Sequence, residues 1–338
     1  MISALISEAL CYKKNELISF SYKIINRGYF VTNKIFISGF STIRNGVKLG
    51  YPFVESIKSI LPIVDEFVIT IGKSEDDTLD VIKKIKDPKI KIIETIWDPK
   101  FTIKGRILAV QSNMALFQCR GDWAFYIQGD EIFHNEDQNK IVKYCEDYIK
   151  DEEVEGFLFD YTHFFGNYKW YGDSYHWYRK EIRIIRNHRG ITSWRSAQSF
   201  RLDGKKIGVI ETGCRIYHYG WVRAPEVMAE KRKQHDMLHH GKGYKRDIHN
   251  KNYNYLNEMD PECMKPFTDP PPELMRKRVE NYTVRFDPSM INYKPGFIDR
   301  KRRIVNTIGK ITGWYPGEYK NYHILPKKNL MVSKDNEE

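Results

Sequence analysis

The first half of the chain alternates two hydrophobic patterns. Short continuous apolar runs are each followed by a stretch in which apolar residues recur every three or four positions. The run Lys34-Ile-Phe-Ile-Ser38 reads as a buried strand closed by Gly39. After the turn signal Asn45-Gly46, Pro52 opens a helix, where its missing N–H is not needed. Phe53, Ile57, Ile60 and Leu61 share one face of that helix. The unit then repeats. Phe67–Ile71 is a second strand, ended by Gly72. Ser74 and Asp77 resemble a capping box before a helix with Leu79, Ile82 and Ile85 on its apolar side. Lys91–Thr95 is a third strand, residues 104–119 a third helix carrying Ile107, Val110, Met114 and Phe117, and Trp123–Ile127 a fourth strand. Residues 1–33 precede the pattern and read as an N-terminal extension.

Alternating strand and helix predicts an α/β fold with a mostly parallel central sheet and right-handed crossovers. Ligands bind such sheets beyond the carboxyl ends of the strands. Those ends are Ser38–Arg44, Gly72–Asp77, Thr95–Lys104 and Gln128–Glu131. After residue 150 the pattern changes. Strands at Gly156–Tyr161 and Glu181–Arg186 lie among dense aromatics, eleven in the twenty-two residues Phe157–Tyr178. Flat aromatic faces with polar rims suit sugar rings, and they equally suit a packed sheet. Residues 224–240 read as a helix and 260–300, rich in proline, as irregular. Residues 300–338 form a basic segment ending in a polar tail.

Charge sharpens this division. The net charge of the 338 residues is +11, and it is uneven. Residues 1–150 hold 21 Lys+Arg against 19 Asp+Glu, whereas residues 151–338 hold 34 against 25. The second half should therefore meet an anion: a diphosphate, a nucleic acid or a membrane surface. No helix-turn-helix, RRM or zinc-module signature is present, so nucleic acid is not the expected partner. Arg300-Lys-Arg-Arg303, with Trp314 and Tyr315 beyond, fits contact with anionic lipid. Five cysteines, without a CxxC pair, fit a reducing, cytoplasmic compartment better than a disulfide or zinc framework.

The sharpest chemical signal is Gln128-Gly129-Asp130-Glu131, directly after a buried strand. A carboxylate there faces the ligand crevice, where hard divalent ions bind through carboxylate and phosphate oxygens. The signal has company. Gly72-Lys-Ser-Glu-Asp-Asp-Thr78 forms an acidic, hydroxyl-bearing turn, Asn113 lies in the third helix, and Gly121 follows eight residues later. Gln128-Gly-Asp130-Glu begins seven beyond that. In this order the segments resemble glycosyltransferase family 2 over about residues 34–131.

The resemblance implies a Rossmann-like GT-A fold over residues 34–222. Its nucleotide half would span about 34–131 and its acceptor half about 132–222. An aromatic-rich, partly helical C-terminal part would follow, with a helical and irregular extension over 223–338. It implies transfer of a sugar from a nucleotide-diphospho-sugar to a glycan or lipid-linked acceptor, with inversion, in the cytoplasm or at the inner face of the membrane. Mn²⁺ or Mg²⁺ would be held by Asp130, Glu131 and His218. His218 lies in Tyr217-His-Tyr-Gly-Trp221, which resembles the closing His-Tyr-Gly segment of the family, with Gly220 allowing close approach. Ser38, Arg44, Asp76, Lys104, Arg106, Asn113 and Gln128 would face the nucleotide sugar. Gln128 departs from the family by replacing the first Asp of Asp-x-Asp. Ile71-Gly72 replaces the usual acidic end of the second strand, which leaves the nucleotide base open. Inversion needs a general base. The usual His-Glu position falls near Gln198, so Asp160, Glu181 and Glu211 are the candidates, with Asp160 preferred because it precedes His163. A catalytically silent binder of sugar nucleotide or glycan on the same fold is the alternative.

Overall fold

The computed structural model describes residues 34–101, 103–174, 177–240, 254–291 and 293–328. The N-terminal extension and the end of the polar tail lie outside the described residues.

The predicted alternation is present as β1 (Ile37–Ile43), α1 (Phe53–Ile60), β2 (Glu66–Gly72), α2 (Thr78–Lys83), β3 (Ile90–Thr95), α3 (Arg106–Leu116) and β4 (Trp123–Tyr126). These strands pair in parallel in the order β3-β2-β1-β4. The chain winds one way from β1 to β3, then returns to the other side of β1. Two connections therefore diverge between β1 and β4, which opens a crevice at their carboxyl ends.

The second half extends this sheet with antiparallel strands. It comprises β5 (Glu131–Phe133), α4 (Gln138–Asp147), β6 (Gly156–Phe165), β7 (Trp170–Gly172), β8 (Lys180–Arg186), β9 (Ile191–Trp194), β10 (Ser199–Leu202), β11 (Lys205–Lys206) and β12 (Gly208–Trp221). It continues with α5 (Pro225–His240), β13 (Met264–Pro266), α6 (Arg276–Glu280), α7 (Phe297–Thr312) and β14 (His323–Ile324). β8 joins β4 and β6 antiparallel, while β12 runs parallel to β6 and antiparallel to β5. The short strands β9, β10 and β11 form a separate sheet. The whole is a mixed α/β fold built on a Rossmann-like parallel core.

Apolar side chains occupy both faces of the sheet. Phe53, Ile57 and Ile60 of α1, with Ile141 and Cys145 of α4, pack on one face against Phe67, Trp123, Phe125 and Phe157. Ala115 and Leu116 of α3 pack on the other against Phe40, Val68 and Tyr126. Much of the aromatic run is core: Phe157, Phe159, Phe164 and Phe165 are buried.

Three local expectations are corrected. The first strand does not stop at Gly39 but runs to Ile43 in register with β2. Gly39 is there because a Cβ would fall 2.6 Å from the Phe67 ring, so the glycine admits a neighbour instead of ending the strand. Ser74 and Asp77 do not form a capping box. Asp76 accepts from the Thr78 N–H at 3.1 Å, and Ser74 accepts from Asn45 N–H and donates to the Gly72 carbonyl. The third helix starts at Arg106, because Lys104 and Gly105 have φ of 57° and 68°. It buries Ile107, Gln111, Ser112, Ala115 and Leu116 and leaves Phe117 exposed. Close packing on the sheet selects small residues there, and Gln111 is satisfied by the Thr95 hydroxyl at 2.6 Å.

Candidate active site

A cavity of about 1440 Å³ opens at the carboxyl ends of β1 and β4. Arg44, Gln128, Gly129 and Asp130 line its floor, and α5 supplies a wall through Glu230, Lys231 and Gln234. Trp177, Tyr178, Glu181 and Trp221 line the side contributed by the second half.

Asp130 is buried at this floor. Lys231 Nζ donates to its Oδ2 at 3.1 Å and to the Gly220 carbonyl at 2.8 Å. Arg223 Nη2 lies 3.7 Å from the same oxygen and His218 Nε2 3.8 Å. The Arg223 guanidinium and the Lys231 ammonium stand 4.6 and 5.0 Å from the Tyr51 ring, within cation–π range. Burial pushes the Asp130 pKa up, but the positive groups around it, Lys231 foremost, outweigh burial and hold it well below the usual carboxylate range. Burial and the neighbouring Arg223 bring Lys231 down to about 8, against the pull of Asp130. At neutral pH the two form a charged pair. Gly220 keeps this corner open: a Cβ there would fall 2.4 Å from the His218 ring and 3.1 Å from Asp130 Oδ2.

The long strand β12 brings His218 opposite both Glu131 of β5 and His163 of β6. The two imidazoles share a hydrogen bond at 2.9 Å between their Nδ1 atoms. His163 Nε2 is 2.8 Å from the Tyr178 carbonyl, which can only accept, so that nitrogen carries the proton. Burial pushes His163 down to about 4 and His218 well below the usual histidine value, so both are neutral. The His163 Nδ1 then accepts, the His218 Nδ1 donates, and His218 Nε2 is left with a bare lone pair.

Glu131 has no exposed surface, and its oxygens are committed. Arg183 holds both, at 2.7 and 2.9 Å, Tyr161 Oη donates at 2.6 Å and Gln128 N–H at 3.0 Å. It is therefore not available to a metal. Glu181, two residues from Arg183 on the same strand, lines the cavity and is buried. Its Oε2 has no hydrogen-bond partner among the described residues. Burial, with Glu131 adding repulsion against the pull of Arg183, pushes its carboxyl up to about 8.

The expected residues thus separate. Arg44 and Gln128 line the cavity; Arg44 reaches the Lys73 carbonyl and lies 5.6 Å from the Trp97 ring, and Gln128 donates to the Ala197 carbonyl. Ser38 does not. It is buried near the start of β1, donating to Glu66 and accepting from Gly121 N–H, because the strand runs on past it to Ile43. Asp76 ties Lys48 N–H and Thr78, and Asn113 brackets Ser193 of β9. Lys104 and Arg106 are exposed and do not line the cavity. Among the proposed bases, Asp160 and Glu211 share Lys180 at 3.1 Å each, and neither lines this cavity. Glu181 alone of the three does. Sequence reading missed Tyr51, Arg223 and Lys231. The available signal was the spacing of Arg223 and Lys231 across the start of a helix that follows directly on the His-Tyr-Gly segment.

A divalent ion fits this donor set poorly. Glu131 is taken, Gln128 offers only an amide, and no group of three or more His, Cys, Asp or Glu side chains able to hold a metal occurs among the described residues. Asp130 Oδ2 and His218 Nε2 remain, and the first is already bonded to Lys231. An ion bound there would stand near two fixed cations, each repelling it by roughly 8 kcal/mol at 4 Å with an effective dielectric of about 20.

No protein-family model matches the chain, and no curated protein does. Solved structures show partial similarity. TarS from S. aureus is 14% identical over 60% of this chain and 40% of that one, with a TM-score of 0.37. Its 1–349 fragment in complex with UDP is 14% identical over 60% of this chain and 65% of that one, with a TM-score of 0.37. Mannosyltransferase PcManGT from Pyrobaculum calidifontis, in complex with GDP-Man and Mn²⁺, is 17% identical over 37% of this chain and 35% of that one, with a TM-score of 0.30. The chain spans less than two thirds of each of these.

Proposed function

We propose that this chain is a glycosyltransferase that moves a sugar from a nucleotide-diphospho-sugar to a hydroxyl of a glycan or lipid-linked acceptor, with inversion. The observation that carries this reading is the cavity at the β1/β4 switch point, which brings Arg44 and Lys231 together with an aromatic wall and with Glu181, whose Oε2 has no hydrogen-bond partner among the described residues. Arg44 and Lys231 favour an anionic diphosphate. Trp177, Tyr178 and Trp221 offer faces to sugar rings. Glu181 is the base. The acceptor oxygen bonds to the anomeric carbon as the bond from that carbon to the diphosphate oxygen breaks. The bonding pair leaves with the diphosphate, and the acceptor proton passes to Glu181 in its carboxylate form, which prevails above about pH 8. A carboxylate of raised pKa accepts that proton more readily than an ordinary one.

The test is turnover across a panel of nucleotide sugars and acceptors, with binding measured separately. Glu181→Gln should bind the donor as the wild type does and lose roughly 10²–10⁴-fold in turnover. Wild-type turnover in that variant would place the base elsewhere. Donor binding without any turnover in the wild type would favour the catalytically silent binder.

We also propose that α7 rests on an anionic membrane surface. Phe297, Ile304, Ile308 and Ile311 form one solvent-facing row along this helix, and Trp314 is exposed just beyond it. Arg300 and Lys301 flank the row and are exposed. An apolar stripe edged with cations matches the acyl–headgroup boundary of an anionic leaflet. No helix among the described residues is long and apolar enough to cross a membrane.

A further inference from the structure

Two cations crowd Asp130 without being used up by it. Arg223 is 2% exposed and is fixed by the backbone carbonyls of Leu49, Tyr219 and Gly220, yet its Nη2 has no hydrogen-bond partner among the described residues. Lys231 has three N–H donors. Asp130 and the Gly220 carbonyl take two of them. Lys231 lines the cavity, and Arg223 stands behind it. One carboxylate with two cations leaves one net positive charge, as would a divalent ion on one carboxylate. The chain therefore already carries, at this corner, the charge that an ion would bring.

We infer that the donor's diphosphate is bound and neutralised by the Lys231 ammonium, backed by Arg223, in place of a divalent metal ion. This rests on the transferase reading. Lys231 would give its third N–H to a diphosphate oxygen. Asp130 then holds the ammonium in position instead of ligating an ion. Arg223, which does not line the cavity, acts through Asp130 as a positioning residue. When the anomeric carbon–oxygen bond breaks, the electron pair gained by the diphosphate is met by a fixed charge that need not reorganise. The Tyr51 ring limits where both cations can move.

The experiment is calorimetric titration of the full chain with UDP and with GDP, in EDTA and in Mn²⁺, using UMP and GMP as single-phosphate controls. The wild type should bind one diphosphate in EDTA within about twofold of its affinity in Mn²⁺. Lys231→Ala should weaken that binding about tenfold or more, the loss of one charge-assisted hydrogen bond. Lys231→Arg should retain most of it, and monophosphate affinity should change little in either variant. Circular dichroism confirms that each variant folds. Binding that vanishes in EDTA and returns with Mn²⁺ in the wild type overturns the inference while leaving the transferase reading intact. So does unchanged binding in Lys231→Ala. If neither diphosphate binds with or without the ion, the transferase reading fails and the inference fails with it.

Discussion

Glu181 and Glu131 face a single guanidinium, that of Arg183; Glu131 takes its Nε and Nη2 donors, and Nη1 donates to the Ile182 carbonyl. Glu181 is left buried with a raised pKa of about 8, against an ordinary value of 4.5. Between those two values the folded chain holds a proton that the unfolded chain has released. The stability this group contributes is therefore complete below the ordinary value and is lost as pH rises through about 8. Glu181→Gln removes the penalty. The variant should unfold nearly like the wild type near pH 5 and be more stable by up to about 5 kcal/mol near pH 9, while losing turnover. Thermal denaturation at the two pH values checks this; a constant difference would mean that Glu181 is not strained by burial. The same residues show what a sequence conceals at this scale. Asp130 and Glu131 are adjacent and chemically alike, so either reads as a metal ligand. Only the fold reveals that Glu131 points to Arg183, 52 residues away, and that Asp130 points to Lys231, 101 residues away. Glu181 was legible as a carboxylate but not as the one inside the cavity, because strand alternation alone does not say which face of β8 meets it.

At the scale of elements, the helices and strands before residue 131 were legible because apolar period and turn residues agree there. Their limits were less so. Gly39 carries the same letter as a strand-stopping glycine, and its real role needs the Phe67 ring opposite it. The strand β12 and the wall formed by α5 were not assembled from sequence, since their meaning lies in pairing with distant strands. Helix α7 is a different case: its pattern is inverted. Val305, Asn306 and Gly309 face the protein, and the larger apolar residues face outward. Outward Ile and Phe contribute little to folding, so Ile304→Asn with Ile308→Asn should leave the unfolding midpoint nearly unchanged. The same pair should abolish co-sedimentation with vesicles containing phosphatidylserine. Wild-type binding should weaken on raising salt, by about 1 kcal/mol for each screened cation, and should be weak on vesicles of phosphatidylcholine alone. Equal binding to both vesicle types would remove the charge argument. A dimer in solution that depends on Ile304 and Ile308 would assign the stripe to a second copy instead.

At the scale of the whole molecule, the parallel first half of the sheet and its antiparallel second half are joined by β4 and β8 and, beneath the cavity, by Glu131 and Arg183. The broad fold was predictable from the first half alone, because a parallel β3-β2-β1-β4 core fixes where its crevice must open. The second half was not, because antiparallel strands buried on both faces carry no alternation by which to set their register. A buried ion pair supplies such register information at a cost in desolvation. The Glu131 and Arg183 side chains are 0% and 3% exposed, so removing one partner strands the other without solvent. Arg183→Met should therefore destabilise the chain by about 3–5 kcal/mol in chemical denaturation. The double variant Glu131→Gln with Arg183→Met removes both charges; the new glutamine's one carbonyl oxygen can accept from Gln128 N–H while its amide NH2 donates to Tyr161 Oη. It should recover at least half of that loss. The cavity depends on the same pair, since Gln128 and Asp130 precede Glu131 in one turn. Donor binding should then fall in the single variant and return in part in the double. Arg183→Met within 1 kcal/mol of the wild type would show that the halves are held by apolar packing alone, with the ion pair serving only to orient the turn at Gln128–Glu131.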